Sequence, residues 1–281
     1  MRHRFDVQVG PVSVRVGSAW PEPVAALADL YADYPQERAI PDFTVRLEPQ
    51  RPWRRLIRPS VAVRGDYILP DALPLPLAQG LLAAEMAMNL QLALGERRSL
   101  LLHAASVEKD GRALILTGES GSGKSTLSAL LGENGWRFMS DEFVLIDPDS
   151  GMIHPFPRPV SLKNAGIAAL EAILPDSRFG PHLLGTPKGD VRHLKPCVSA
   201  IAAMLTPARP RIIIFPRFGF AADVRDVLPG EVFVRLTQAS TNYTAMGERG
   251  FAALTRLVTG VHAKAIDYPD AATALRMVEA L

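Results

Sequence analysis

Apolar and polar positions alternate through the first part of the chain. Phe5, Val7 and Val9, then Val12, Val14 and Val16, flank Gly10-Pro11, the pattern of two half-buried strands joined by a turn. Phe43-Thr44-Val45-Arg46-Leu47 repeats it, and Val61-Ala62-Val63 with Tyr67-Ile68-Leu69 around Arg64-Gly65-Asp66 predicts a further hairpin. Between these, Pro23 to Tyr31 predicts one short helix with Pro23 in its first turn. Punctuation by Pro70, Pro74 and Pro76 gives way to an apolar stretch from Leu77 to Leu94, which predicts a buried helix ending at Gly95.

The pattern then changes to short continuous apolar runs. Leu100-Leu101-Leu102-His103 and Ala104-Ala105-Ser106-Val107 precede Asp110-Gly111, after which comes Ala113-Leu114-Ile115-Leu116. Asp-Gly between two apolar runs is a strong hairpin signal, and a two-residue turn there sets Lys109 opposite Arg112, Val107 opposite Leu114, Ala105 opposite Leu116 and His103 opposite Gly118. Ser125 to Leu131 has helical character and is closed by Gly132 and Asn134-Gly135. Phe138 to Asp147, Arg211 to Phe215 and Val232 to Leu236 are expected to be strands, and the tail from about Gly250 two helices around a strand at Ala265-Ile266-Asp267. The fold class expected is α/β with a mixed sheet, since the strand before Gly118 has an antiparallel partner immediately upstream. The organisation expected is a β-rich N-terminal segment, 1–75, followed by a catalytic core, 76–281.

Composition narrows the function classes. The 281 residues are 48% apolar and 21% charged, ordinary for a globular chain. Glycine and proline make up about one residue in six, below the roughly 25–30% of low-complexity chains. A net charge of +2 with 7% aromatic residues argues against nucleic acid as a partner. The single cysteine, Cys197, cannot form an intrachain disulfide, the start Met1 to Asp6 lacks a signal-peptide apolar run, and no stretch approaches a membrane span. A cytoplasmic protein without a membrane partner is expected, and a homo-oligomer is compatible with this reading.

The chemistry concentrates at Gly118-Glu119-Ser120-Gly121-Ser122-Gly123-Lys124-Ser125, a G-x-x-x-x-G-K-[ST] phosphate loop followed by Thr126. Its glycines let successive backbone N–H groups point at phosphate oxygens, Lys124 reaches the β and γ phosphates, and the Ser125 hydroxyl can ligate Mg²⁺. ATP and Mg²⁺ are therefore the expected cofactors. The helix from Ser125 carries the chain about 12 Å from the phosphates at roughly 1.5 Å per residue. An extended return at about 3.3 Å per residue comes level after roughly four residues, near Asp141-Glu142. One carboxylate of that pair could deprotonate an attacking hydroxyl while the other holds Mg²⁺.

His103, the loop directly after a hairpin strand, and an acidic pair beginning 17 residues past Lys124 resemble the catalytic domain of HPr kinase/phosphorylase. The likeness is closer to the HPr-kinase-related bacterial proteins encoded near peptide-modification genes, including lasso-peptide kinases. It is strongest over residues 99–147 and leaves 1–75 uncovered. The resemblance implies a phosphoenolpyruvate-carboxykinase-like core and transfer of the ATP γ-phosphoryl to serine of a peptide or small protein. It also implies Asp141 as general base, Glu142 as metal ligand beside Ser125, and His103 as a neighbour of the reacting phosphate. The glutamate-arginine-glycine signature that follows the acidic pair in that family has no counterpart in Phe156 to Lys163, so neither the reverse reaction nor HPr as acceptor carries over.

Phosphoryl transfer calls for a further cation. Arg217, ending an apolar strand, is the first candidate, then Arg158 and Lys163, then Lys188 and Arg192. His154 and His193 lack a partner at metal-ligand spacing, and Asn242-Tyr243 is compatible with either capping or lining the site. Three rival readings are a small-molecule kinase, an ATP-binding regulatory or chaperone module without chemistry, and a decarboxylase; the last lacks a metal-binding histidine and lysine cluster before the loop.

Overall fold

The computed structural model describes residues 2–36, 40–69 and 72–281; Met1 and Pro70 lie outside them. The N-terminal hairpin forms as its alternation dictates, β1 (His3–Val9) pairing antiparallel with β2 (Val12–Ser18) around Gly10. Helix α1 (Pro21–Leu30), with prolines in its first turn, crosses over so that β3 (Phe43–Pro49) lies parallel to β2. Strands β4 (Ser60–Gly65) and β5 (Leu75–Pro76) complete this sheet in the order β1-β2-β3-β4-β5. Helix α2 (Gly80–Gly95) packs on it with α1.

The hairpin expected at Arg64-Gly65-Asp66 does not form, because its polar groups are satisfied elsewhere. The Asp66 carboxylate accepts the Thr44 N–H at 2.7 Å, and the Gln91 side-chain amide bonds both the N–H and the C=O of Tyr67, at 2.8 and 2.9 Å. Tyr67 thus needs no ladder partner, and β5 takes the free edge of β4.

Chain order then runs β6 (Leu100–Leu102), β7 (Ala104–Lys109), β8 (Arg112–Thr117), α3 (Lys124–Glu133), β9 (Arg137–Ser140), β10 (Val144–Ile146) and β11 (Ile153–His154). It continues through β12 (Val160–Lys163), α4 (Ala165–Glu171), β13 (Leu183–Thr186), β14 (Gly189–Leu194), α5 (Val198–Ala202), β15 (Arg209–Phe218) and β16 (Asp223–Asp226). Last come α6 (Pro229–Ala239), α7 (Tyr243–Gly260), β17 (His262–Tyr268) and α8 (Ala271–Glu279).

The central sheet has six strands in the order β16-β17-β15-β8-β7-β9, and it is mixed. Strand β8 lies parallel to β15 and antiparallel to β7, with the expected register from Lys109↔Arg112 to Ala104↔Thr117. Asp110 and Gly111 both have positive φ, as this tight turn requires. Leu114 and Leu116 face α3 and α8, while Ala113 and Ile115 face α6 and α7. Burial on both faces is why β8 reads as an unbroken apolar run. The chain is therefore a mixed α/β protein with several sheets, the others being β11-β10-β6 and β12-β14-β13.

Two more expectations are corrected. Val232 to Leu236 is not a strand but part of α6: Pro229 begins the helix, Glu231 and Arg235 pair one turn apart, and Val232 and Leu236 are buried four residues apart. The run Phe138 to Asp147 is not one strand but two in different sheets, broken at Asp141-Glu142, where Glu142 has φ +70°. The core beneath the N-terminal sheet also includes Leu101, Phe143, Leu145, Phe156, Ile201 and Met204, so it continues into the C-terminal part.

Candidate active site

The loop after β8 bends through glycines at φ values that other residues avoid: Gly121 has φ +85° and Gly123 has φ +97°. A Cβ at Gly123 would lie 2.4 Å from Tyr268 Oη, so close approach as well as conformation demands glycine there. Helix α3 starts at Lys124, whose ammonium is buried and donates to the carbonyls of Gly118 and Glu119 at 2.8 and 2.9 Å. Burial lowers its pKa. Gly118, Glu119, Ser120 and Gly121 are exposed, leaving the rim of the loop open.

Two strand breaks meet beside this loop. The chain leaves the β11-β10-β6 sheet for the central sheet at His103, between β6 and β7, and makes the reverse switch at Asp141 to Phe143, between β9 and β10. Because β6 pairs with β10 and β7 with β9, the two breaks fall side by side, and the Ala104 N–H donates to the Glu142 carbonyl at 3.3 Å. A buried hydrogen bond of 2.6 Å between Ser106 Oγ and Ser140 Oγ ties β7 to β9 just before the break.

The acidic pair divides at this point. Asp141 is 3% exposed, and its Oδ1 accepts the Ser125 hydroxyl at 3.0 Å while its buried Oδ2 has no partner. Burial, and next the charge of Glu142, push the Asp141 carboxyl up to about 6. Glu142 turns outward, and its Oε2 lies 3.3 Å from His103 Nε2. That histidine, opposing the cost of burial, holds Glu142 down at about 2, helped by the charges of Lys188 and Lys163. One carboxyl titrates near neutrality and its neighbour stays ionised.

The expected residues Lys124, Ser125, Asp141, Glu142 and His103 are thus brought together, but the cations sort differently. Arg217 lies near the loop, since the next residue's N–H donates to the Ser122 carbonyl at 3.3 Å. Its guanidinium, however, is held by both oxygens of Asp267 on β17, at 3.0 and 2.5 Å, with Phe220 4.0 Å away. Arg158 is buried against Glu85 at 2.5 Å and also bonds Tyr31 and Asn89. Arg192 is bonded to Glu171 and Asp176. Among the described residues Lys163 and Lys188 have no such ion pair, and both act electrostatically on Glu142.

Thr126 directs its hydroxyl toward α4, where a Cβ at Gly166 would lie 2.6 Å from Oγ1. Asn242 is structural: its amide bonds the Leu101 N–H and the Glu96 and Ser99 carbonyls. Sequence reasoning missed Tyr268, which backs the loop, and the β12-β14-β13 sheet beside it, whose short strands carried no recognised signal. Among the described residues no helix is long and apolar enough to cross a membrane, and no group of three His, Cys, Asp or Glu residues forms a metal cluster.

A family model for ScmC, a SynChlorMet cassette protein, matches residues 81–167, the span holding the loop, the acid pair, β12 and the start of α4. The matching model is thus not that of HPr kinase. A search of curated proteins returns no match. Among solved structures, the HPr(Ser) kinase/phosphatase from Coxiella burnetii is similar over 63% of this chain and 90% of its own, at 14% identity and a TM-score of 0.29.

Proposed function

We infer that the chain is an ATP- and Mg²⁺-dependent phosphotransferase that moves the γ-phosphoryl to a hydroxyl, serine of a peptide or small protein being the acceptor. The observation that carries this reading is the placement of Asp141: bonded through one oxygen to Ser125 in the first turn of the loop's helix, it keeps its other, buried oxygen free. A module that only binds nucleotide has no need of a carboxyl raised to about 6 at that position. The core carrying this chemistry, residues 76–281, is read as phosphoenolpyruvate-carboxykinase-like.

In this reading the loop from Gly118 to Thr126 and the N-terminus of α3 receive the ATP phosphates. Lys124, now turned back on the Gly118 and Glu119 carbonyls, exchanges those contacts for phosphate oxygens. The donor set fits a hard divalent cation, offering only oxygens: the Ser125 hydroxyl and the ionised Glu142, with the unpartnered Asp141 oxygen beside them. Ser125 and Glu142 would hold Mg²⁺, which supplies charge neutralisation on the β and γ phosphates. Asp141 takes the proton of the acceptor hydroxyl as its oxygen bonds to the γ-phosphorus and the bond from that phosphorus to the β–γ bridging oxygen breaks, releasing ADP. His103 keeps Glu142 ionised and oriented.

The test combines the full chain with ATP, Mg²⁺ and a library of serine-containing peptides, read by mass spectrometry. Phosphopeptides that vanish in Asp141→Asn, while nucleotide binding persists, are expected. Nucleotide binding without any phosphorylated product would overturn the reading.

A further inference from the structure

One end of the small β12-β14-β13 sheet gathers the last residue of β12 and the turn between β13 and β14. Helix α4, which follows β12, packs against α3 so closely that a Cβ at Gly166 would meet Thr126 Oγ1 at 2.6 Å. Lys163 closes β12 in register with Val191, and the next residue, Asn164, has φ +47° and donates its N–H to the Asp190 carbonyl at 3.2 Å. Across the sheet, the turn that carries Lys188 is fastened by Thr186: its hydroxyl donates to the Gly189 carbonyl at 2.6 Å and accepts the Lys188 N–H at 3.1 Å. A Cβ at Gly189 would lie 2.7 Å from Asn164 Oδ1, so the two lysine-bearing corners abut. Both backbones are fastened by hydrogen bonds, yet among the described residues neither ammonium is bonded to a carboxylate.

That contrast with the arginines is informative. Arg158, Arg192 and Arg217 each have a carboxylate partner within 3.0 Å. Glu142, an anion on which both Lys163 and Lys188 act, is already engaged by His103. Lys163 also acts on Lys124, which places it on the inner, phosphate side, whereas Lys188 sits on an exposed turn beside the exposed Leu184 and Pro187. Two cations with no carboxylate partner among the described residues, one half-buried and one exposed, thus stand near the start of α3 and the acid pair. An open turn of this kind suits an extended chain better than an enclosed metabolite.

We propose that Lys163 and Lys188 form an anion clamp on the acceptor side of the site, and that the acceptor is a peptide carrying acidic side chains next to its serine. The serine in this statement rests on the phosphotransfer reading; the acidic preference rests on the lysines. The clamp is solvent-exposed, so its effect is modest and salt-dependent: about tenfold in acceptor affinity for the two lysines together, shrinking as ionic strength rises.

Two short serine peptides identical except for aspartates or lysines flanking the serine serve as probes. With the full chain, Mg²⁺ and ATP, the acidic peptide should show the lower KM. The double variant Lys163→Gln/Lys188→Gln should raise that KM about tenfold without raising the KM for the basic peptide, Lys163→Arg/Lys188→Arg should largely restore it, and Lys188→Glu should turn the preference toward the basic peptide. Equal KM values for the two peptides, or a loss in the double variant confined to the KM for ATP, would overturn the clamp and leave phosphotransfer standing. Anisotropy of the same labelled peptides on protein loaded with a non-hydrolysable ATP analogue separates the other failure. Lysine-dependent binding of the acidic peptide with no transfer keeps the clamp and removes the phosphotransfer reading, while equal or absent binding of both peptides removes the clamp.

Discussion

Asp141→Asn should make the protein both inactive and more stable at neutral pH, and the size of that gain follows from the burial of one charge. Asp141 is 3% exposed, and burial, with the charge of Glu142 next, raises its carboxyl from the ordinary 3.8 to about 6. The folded state therefore binds this proton more tightly than the unfolded state, so stability falls as pH rises through the window between those values. That rise of the carboxyl corresponds to ~3 kcal/mol at neutral pH. Asparagine removes the charge, and its Oδ1 can still accept the Ser125 hydroxyl, which now bonds Asp141 at 3.0 Å. Urea melts without nucleotide or Mg²⁺ should show the variant more stable by up to ~3 kcal/mol at about pH 7.5, and the gap should close at about pH 3.5, where the native carboxyl is already protonated. Phosphoryl transfer, measured on the same preparations with ATP and Mg²⁺ added, should fall by roughly 10² to 10⁴ in the variant, and in the wild type should rise with pH as the base deprotonates. A stability difference independent of pH would show that no buried charge burdens Asp141, and retained transfer would show that it is not the base. Lost Mg²⁺-dependent ATP affinity in Asp141→Asn but not in Glu142→Gln would exchange the roles of the two carboxylates.

His103→Ala removes the main influence holding Glu142 near 2 and leaves burial opposing its charge, so Mg²⁺-dependent nucleotide binding, followed by titration calorimetry, should be lost at a higher pH than in the wild type as pH is lowered. Lys124→Met should weaken nucleotide binding by about 10- to 100-fold by titration calorimetry, the worth of a charge-assisted contact, with little change in the thermal midpoint of the free protein. Gly123→Ala, which adds strain at φ +97° and a contact 2.4 Å from Tyr268 Oη, should likewise lose nucleotide binding, and unchanged affinity would show that the loop tolerates a side chain there. Glu85→Ala leaves the buried Arg158 without its carboxylate and should cost about 3–5 kcal/mol in urea unfolding, with no effect expected on the ratio of activities toward acidic and basic peptides.

What the sequence determined by itself was short-range. The turn at Asp110-Gly111, the register from Lys109↔Arg112 onward, the glycine loop and the return of the chain to Asp141 lie within about forty consecutive residues, where backbone stereochemistry and rise per residue leave few alternatives. Tertiary structure decided the rest, because it depends on which groups meet from far along the chain. The run Phe138 to Asp147 looks like one strand locally; it breaks because β6 and β10 belong to a different sheet from β7 and β9, and that shared break is what sets His103 against Glu142. Val232 to Leu236 could satisfy either period until α6 and α7 packed on the central sheet. The basic candidates were indistinguishable as residue types. Asp267, 50 residues beyond Arg217, and Glu85, 73 residues before Arg158, engage those two arginines, whereas Lys163 and Lys188 come together at one end of a small sheet with no carboxylate partner among the described residues. A cation's role depends on which anion reaches it first, and that is settled by folding rather than by its place in the sequence.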